Sequence, residues 1–162
     1  MGSKRVGMAR IKSLINENNN KLQVRMGVVE SIEVATKTLT KADSGKTLVL
    51  NRAGGIVLTL PAPEVGMAFK IVVGTTFTGA GQIQTNSTDV LYQGGLQLVD
   101  PATAGDTNFF AADVSNDDTI DLGKIEQGWL QGGVINLVAV SSTRWHVDGR
   151  LLGDATLETP FE

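Results

Sequence analysis

The chain has 162 residues, a formal net charge of −3 and no cysteine. That length suits one domain, and the missing thiols exclude disulfides, thiolate metal sites and a cysteine nucleophile. No apolar run approaches the roughly 18 residues of a membrane span, and the N-terminus lacks the apolar stretch of a signal peptide, which argues against export by that route.

Charge is segregated along the chain. Residues 1–50 hold nine Lys/Arg and four acids, a net of +5; residues 51–162 hold five and thirteen, a net of −8. A basic arm on an acidic body predicts that the two ends meet different surfaces. The arm has no dense Lys/Arg block and no aromatics interleaved for base stacking. Its expected partner is therefore an acidic protein surface, not nucleic acid.

In chain order, "RVGMARIKSLIN" (5–16) spaces Met8, Ile11, Leu14 and Ile15 as one apolar stripe of a short amphipathic helix. Alone, so short a helix is marginal in water and needs a packing partner. "ENNNK" (17–21) ends it. Residues 22–40 read as a linker and then one or two strands. "KTLVLN" (46–51) and "IVLTL" (56–60) flank the turn "RAGG" and predict a hairpin. Pro61 and Pro63 break the pattern, since neither fits a sheet interior. Strands are then expected at 68–74, 81–86, 89–94, 96–100, 108–114, 134–141 and 143–151, with turn signals every 8–12 residues. No helix of ordinary length is expected after residue 40. A parallel α/β sheet would need helical crossovers, so the expected class is all-β: an antiparallel β-sandwich or jelly-roll-like barrel, residues 31–162, behind an extended arm, residues 1–30, that contains a short helix.

Four features carry possible chemistry. "TKADSGKT" (40–47) ends like a phosphate-binding loop, but Thr40 stands where that motif needs glycine, and a strand follows where it needs a helix. A turn through Asp43, Ser44 and Gly45 fits better. "DVSNDDTIDLG" (113–123) offers hard oxygen donors suited to calcium, Asp113, Asn116, Asp117, Asp118 and Asp121, without the spacing of an EF-hand; a solvated acidic loop is the favoured reading. His146, the sole histidine, lies in "RWHVDG" with no poised nucleophile, and alternation places Trp145 and Val147 in the core with His146 outside. Phe109 and Phe110 face opposite sides of one strand, so one is exposed unless a partner covers it. No catalytic, cofactor or metal assignment follows from these residues.

The stretch "LTKADSGKTLVLNRAGGIVLTLPAPEVGMAFKIVVG" resembles a recurrent segment of tailed-phage virion proteins. The matching residues are Ala42 to Gly45, Gly54 and Gly55, Leu58 to Pro61, and Gly66 to Val73. The ending "STRWHVDGRL" is similar to the closing strand of the same proteins. The opening "RVGMARIKSLI" is similar to small virion proteins of marine and cyanobacterial phages. The resemblance covers about three-quarters of the chain. It implies a β-sandwich or jelly-roll-like body, self-association (often as a homotrimer) and no catalysis. Such segments occur in head decoration (cement) proteins, head fibres and tail fibres. The reading adopted is a capsid decoration protein on the outer surface of the head, with the major capsid protein and its own copies as partners, and no direct nucleic-acid or membrane contact. Arg5, Met8, Arg10, Ile11, Lys12, Leu14 and Ile15 are the expected anchors. Two alternatives stay open: a tail or head fibre component that touches the host receptor, and a carbohydrate-binding module using Tyr92, Trp129 and Trp145.

Overall fold

A computed structural model describes residues 10–16, 27–103 and 106–162. Residues 10–16 are helical. Eleven strands follow: β1 (Val29–Ile32), β2 (Thr36–Thr38), β3 (Thr47–Leu50), β4 (Val57–Thr59), β5 (Ala68–Val73), β6 (Gln82–Gln84), β7 (Leu91–Val99), β8 (Thr107–Ala111), β9 (Thr119–Asp121), β10 (Val134–Ser141) and β11 (Arg144–Leu152). The chain is mostly β, with mixed sheets and one short helix near the N-terminus.

Alternation explains the strands. In β5, Phe69, Ile71 and Val73 are buried while Lys70 is exposed. In β3, Leu48 and Leu50 point inward and the β-branched Thr47 and Val49 take the other face. Trp145 and Val147 of β11 are buried and His146 lies on the outer side, as the alternation requires.

The strands form a seven-stranded sheet, β1-β3-β5-β10-β11-β7-β8, and a four-stranded sheet, β2-β4-β6-β9. Up to β7 the chain alternates between them, odd-numbered strands in the larger sheet and even-numbered ones in the smaller. This corrects two expectations. The sheets are not antiparallel: β1 with β3, β3 with β5, β2 with β4, β4 with β6 and β7 with β11 all pair in parallel. And β3 and β4 form no hairpin; "RAGG" carries the chain from one sheet to the other. Parallel neighbours need a crossover of a dozen or more residues, commonly a helix. Among β1 to β6 the crossover is a strand of the opposite sheet, and between β7 and β11 it is the run β8 to β10, so parallel pairing arises without a helix. The remaining strands, β7 to β11, supply the antiparallel pairs of β10 with β5 and β11, β7 with β8, and β6 with β9.

Both sheets feed one core. Leu48, Ile71, Leu137 and Trp145 from the large sheet cluster with Leu58, Ile83 and Ile120 from the small one. Tyr92 links them, because its hydroxyl donates to the carbonyl of Ile83 at 3.0 Å in a fully buried setting. Burial pushes the Tyr92 phenol well above its ordinary pKa, with the nearby Asp118 charge adding to the shift.

"SGKT" closes a turn, as expected. Residues Lys41–Asp43 form a 3-10 turn, Gly45 has φ +88° and β3 starts at Thr47. The Thr40 amide and hydroxyl both donate to the Asp43 carboxylate, at 2.9 and 2.8 Å. The Gly45 amide donates to the Ala68 carbonyl at 2.8 Å and the Ala68 amide to the Ser44 hydroxyl at 3.1 Å, so the turn is tied to the start of β5.

Candidate functional site

Of the seven expected anchors, Arg10, Ile11, Lys12, Leu14 and Ile15 fall in the helix at 10–16, and Arg5 and Met8 lie outside the described residues. The helix brings Ile11, Leu14 and Ile15 together, because residues three and four apart share a face. All three are more than half exposed: 57%, 52% and 53%. Arg10 and Lys12 flank them and are exposed too. An apolar stripe edged by cations, on an element too short to hold itself, is suited to gripping a surface with an apolar groove and acidic margins.

The other candidates resolve differently. In the 113–123 loop three of the four carboxylates turn to their own backbone, and Asp118 accepts from the Thr119 hydroxyl. Asp113 accepts from the Ser115 amide at 2.8 Å, Asp117 from the Asp113 amide at 2.6 Å and Asp121 from the Gly123 amide at 2.7 Å. Part of this segment is strand β9, which pairs with β6. Among the described residues, no group of three or more His, Cys, Asp or Glu is placed to hold a metal ion. Tyr92 and Trp145 are fully buried, and Trp129 packs against the core. These three aromatics form no exposed platform of the kind a sugar ring stacks on. Phe110 packs against the core, and Phe109 is the exposed member of its pair at 70%.

Sequence reasoning missed one polar cluster. Glu30, Lys37, Asp43 and Lys46 converge where β1, β2 and the start of β3 meet. Glu30 pairs with Lys37 and, at 2.9 Å, with Lys46; Lys46 also meets Asp43 at 2.6 Å. Asp43 and Lys46 are three residues apart and pair locally, and the crossing of the chain between sheets brings Glu30 and Lys37 to them. The Lys37 and Lys46 ammonium groups hold the Glu30 carboxyl below its usual range. For Asp43, burial pulls its carboxyl upward, but the Lys46 ammonium and the Thr40 amide and hydroxyl outweigh that and hold it down to about 2. Lys46 is raised by Asp43 first and Glu30 second.

The sign of the pH effect follows. Carboxyls depressed by folding contribute stability above their unfolded pKa and lose it as the pH falls through the folded value. Urea midpoints should therefore drop between about pH 4 and pH 2 as Asp43 and Glu30 take up protons. Lys46 acts oppositely, its share fading only above its ordinary range. In Lys46→Met the acid-side slope should flatten. A slope unchanged in that variant would assign the acid sensitivity to other carboxyls.

A scan against protein-family models finds no matching family, and a search of curated proteins finds no match.

Proposed function

We propose that this chain is a virion structural protein that decorates the outside of a phage head and stabilises the shell. The observation that carries the reading is the short helix at 10–16, with Ile11, Leu14 and Ile15 exposed between Arg10 and Lys12 on a basic arm ahead of a β body. The segment resemblance to tailed-phage virion proteins supplies the setting. Two sheets that share one core support reading the body as a sandwich.

The mechanism is mass action. A protein that binds only the assembled shell stabilises it by its binding free energy, and many copies bridging adjacent capsid subunits add avidity. Arg10 and Lys12, with Arg5, meet carboxylates of the major capsid protein. Ile11, Leu14 and Ile15, with Met8, fill an apolar groove. The body stands outward and carries no reaction.

The test uses expanded heads that lack the protein. Deleting residues 1–20 should abolish binding, and the pair Ile11→Asp and Leu14→Asp should weaken it by at least about tenfold, as expected for buried anchors. These positions are exposed, so the body should melt as before. Undiminished binding of the deletion would sink the reading. Labelled virions should show density on the head facets; density on the tail would favour a fibre component.

A further inference from the structure

The two sheets have four edges, and three are managed. On β1 and β2 the inward-facing position carries a charge. Glu30 is in register with the buried Leu48, and Lys37 with the buried Leu58, and the two pair with each other. Inward-pointing charge is a known guard against strand addition. On β9 the chain's own C-terminus occupies the edge. The amides of Asp118 and Thr119 donate to the Glu162 carbonyl, the Asp121 amide donates to Pro160, and Phe161 bridges to Ile120. The fourth edge, β8, is the last strand of the large sheet, and no described strand lies beyond it. Its sequence, Thr-Asn-Phe-Phe-Ala, holds neither a charge nor a proline. Phe109 lies over Gly95 on its outer side and is 70% exposed.

We propose that the free edge of β8 takes the N-terminal arm of a second copy as an added strand. Charge selects the occupant. Residues 89–126 carry eight acids and one lysine, a net of −7, and Asp106 and Asp113 bracket β8 itself. Pairing β8 with the β8 of another copy would bring two acidic ends together. The arm is the complementary piece: residues 1–26 hold six Lys/Arg and one acid, a net of +5. Within it, Leu22, Val24 and Met26 alternate with Gln23 and Arg25, the period-2 pattern of a strand with one apolar face. Main-chain bonds along β8 supply affinity, and the apolar face covers Phe109. Lys21 and Arg25 bring positive charge to the acidic flanks.

Reach makes the contact intermolecular. The arm leads into β1, at the opposite edge of the seven-stranded sheet from β8. Six strand spacings separate them, about 29 Å at ~4.8 Å each. Val24 is five residues before Val29, a span of at most about 17 Å. Along the sheet a copy's own Val24 falls short of its own β8, and the proposal gives that position to the neighbour's Val24. The contact is head-to-tail, and repeated around an axis it closes a ring. This inference concerns contact between copies and does not depend on the shell-binding reading.

The cysteine-free chain permits a direct test. Two full-length variants, Val24→Cys and Phe109→Cys, are mixed and oxidised. The expected product is a disulfide between unlike copies, well in excess of either like pair. Independently, Phe109→Lys in the full chain should weaken self-association by at least about tenfold, as loss of a central aromatic anchor does, and a peptide of residues 17–28 should dissociate the native assembly. Phe109 is exposed, so a melting curve unchanged at dilutions where both proteins are monomeric shows that the fold survives. A dominant disulfide between two copies of the Phe109→Cys variant would instead assign the edge to β8 pairing with itself. A native protein that stays monomeric, or an association that neither Phe109→Lys nor the peptide affects, would overturn the proposal.

Discussion

Gly55→Ala is expected to destabilise the body by about 3 kcal/mol or more, although it adds a single methyl group. Gly55 has φ +86°, and a Cβ there would lie 1.9 Å from the Ala80 carbonyl oxygen and 2.5 Å from its carbon. The obstacle is main chain and cannot swing aside as a side chain would. The Arg52–Gly55 turn sits directly on the segment Thr78–Gly81. The Thr78 amide donates to Ala53 at 2.6 Å, the Gln82 amide donates to Ile56 at 2.9 Å, and a Cβ on Gly79 would come within 2.7 Å of the Gly54 carbonyl. Making room for the methyl would strain these bonds at the step where the chain passes between sheets. Gly66→Ala is the control. It shares the left-handed backbone, φ +91°, but among the described residues no atom beyond its chain neighbours lies within 4 Å of its added Cβ. It should cost only the conformational strain, about 1–2 kcal/mol. Urea midpoints compare the two, and equal losses would show that the backbone approach at Gly55 contributes nothing.

The glycines illustrate what the sequence can reveal. "RAGG" is legible as a turn because its residues favour one. The sheet each flanking strand joins is not written in the turn. A hairpin and a crossover can use the same local signal, and what separates them is where Leu48, Leu50 and Leu58 find their partners. Strand and turn signals located eight of the eleven strands, β3 to β8, β10 and β11, and left the stretch that holds β1 and β2 as one or two strands. They missed β9, where "TID" is only three residues inside an acidic stretch and owes its place to pairing with β6 and to the C-terminal Phe161. They also divided β7 in two at Gly94 and Gly95. Those glycines sit inside a continuous strand, since Gly94 lies against the backbone of Val147 and Gly95 lies beneath Phe109. The helix stripe of Ile11, Leu14 and Ile15 was legible from spacing alone. Of the cluster of Glu30, Lys37, Asp43 and Lys46, only the Asp43–Lys46 pair is local in sequence; strand crossing brings Glu30 and Lys37 to it, and that part was not legible.

Trp145→Ala should cost about 3–5 kcal/mol, the range for emptying a large aromatic site in a close-packed core. Trp145 is fully buried on β11, its ring centroid 5.6 Å from that of Phe69 on β5. β11 lies between β10 and β7, antiparallel to the first and parallel to the second. Loss of the ring therefore removes packing on an interior strand of the large sheet. Trp145→Phe separates volume from polarity. The indole Nε1 is buried without an acceptor among the described residues, and an unpartnered buried donor is itself a cost of about 1–3 kcal/mol. Phenylalanine leaves a smaller cavity and removes that donor, so its loss should be no more than about 1–2 kcal/mol. Equilibrium unfolding in urea gives both values. If Trp145→Phe is as damaging as Trp145→Ala, the indole nitrogen has a partner in the folded protein and stabilises it. If both are mild, the core of the large sheet relaxes around the missing ring.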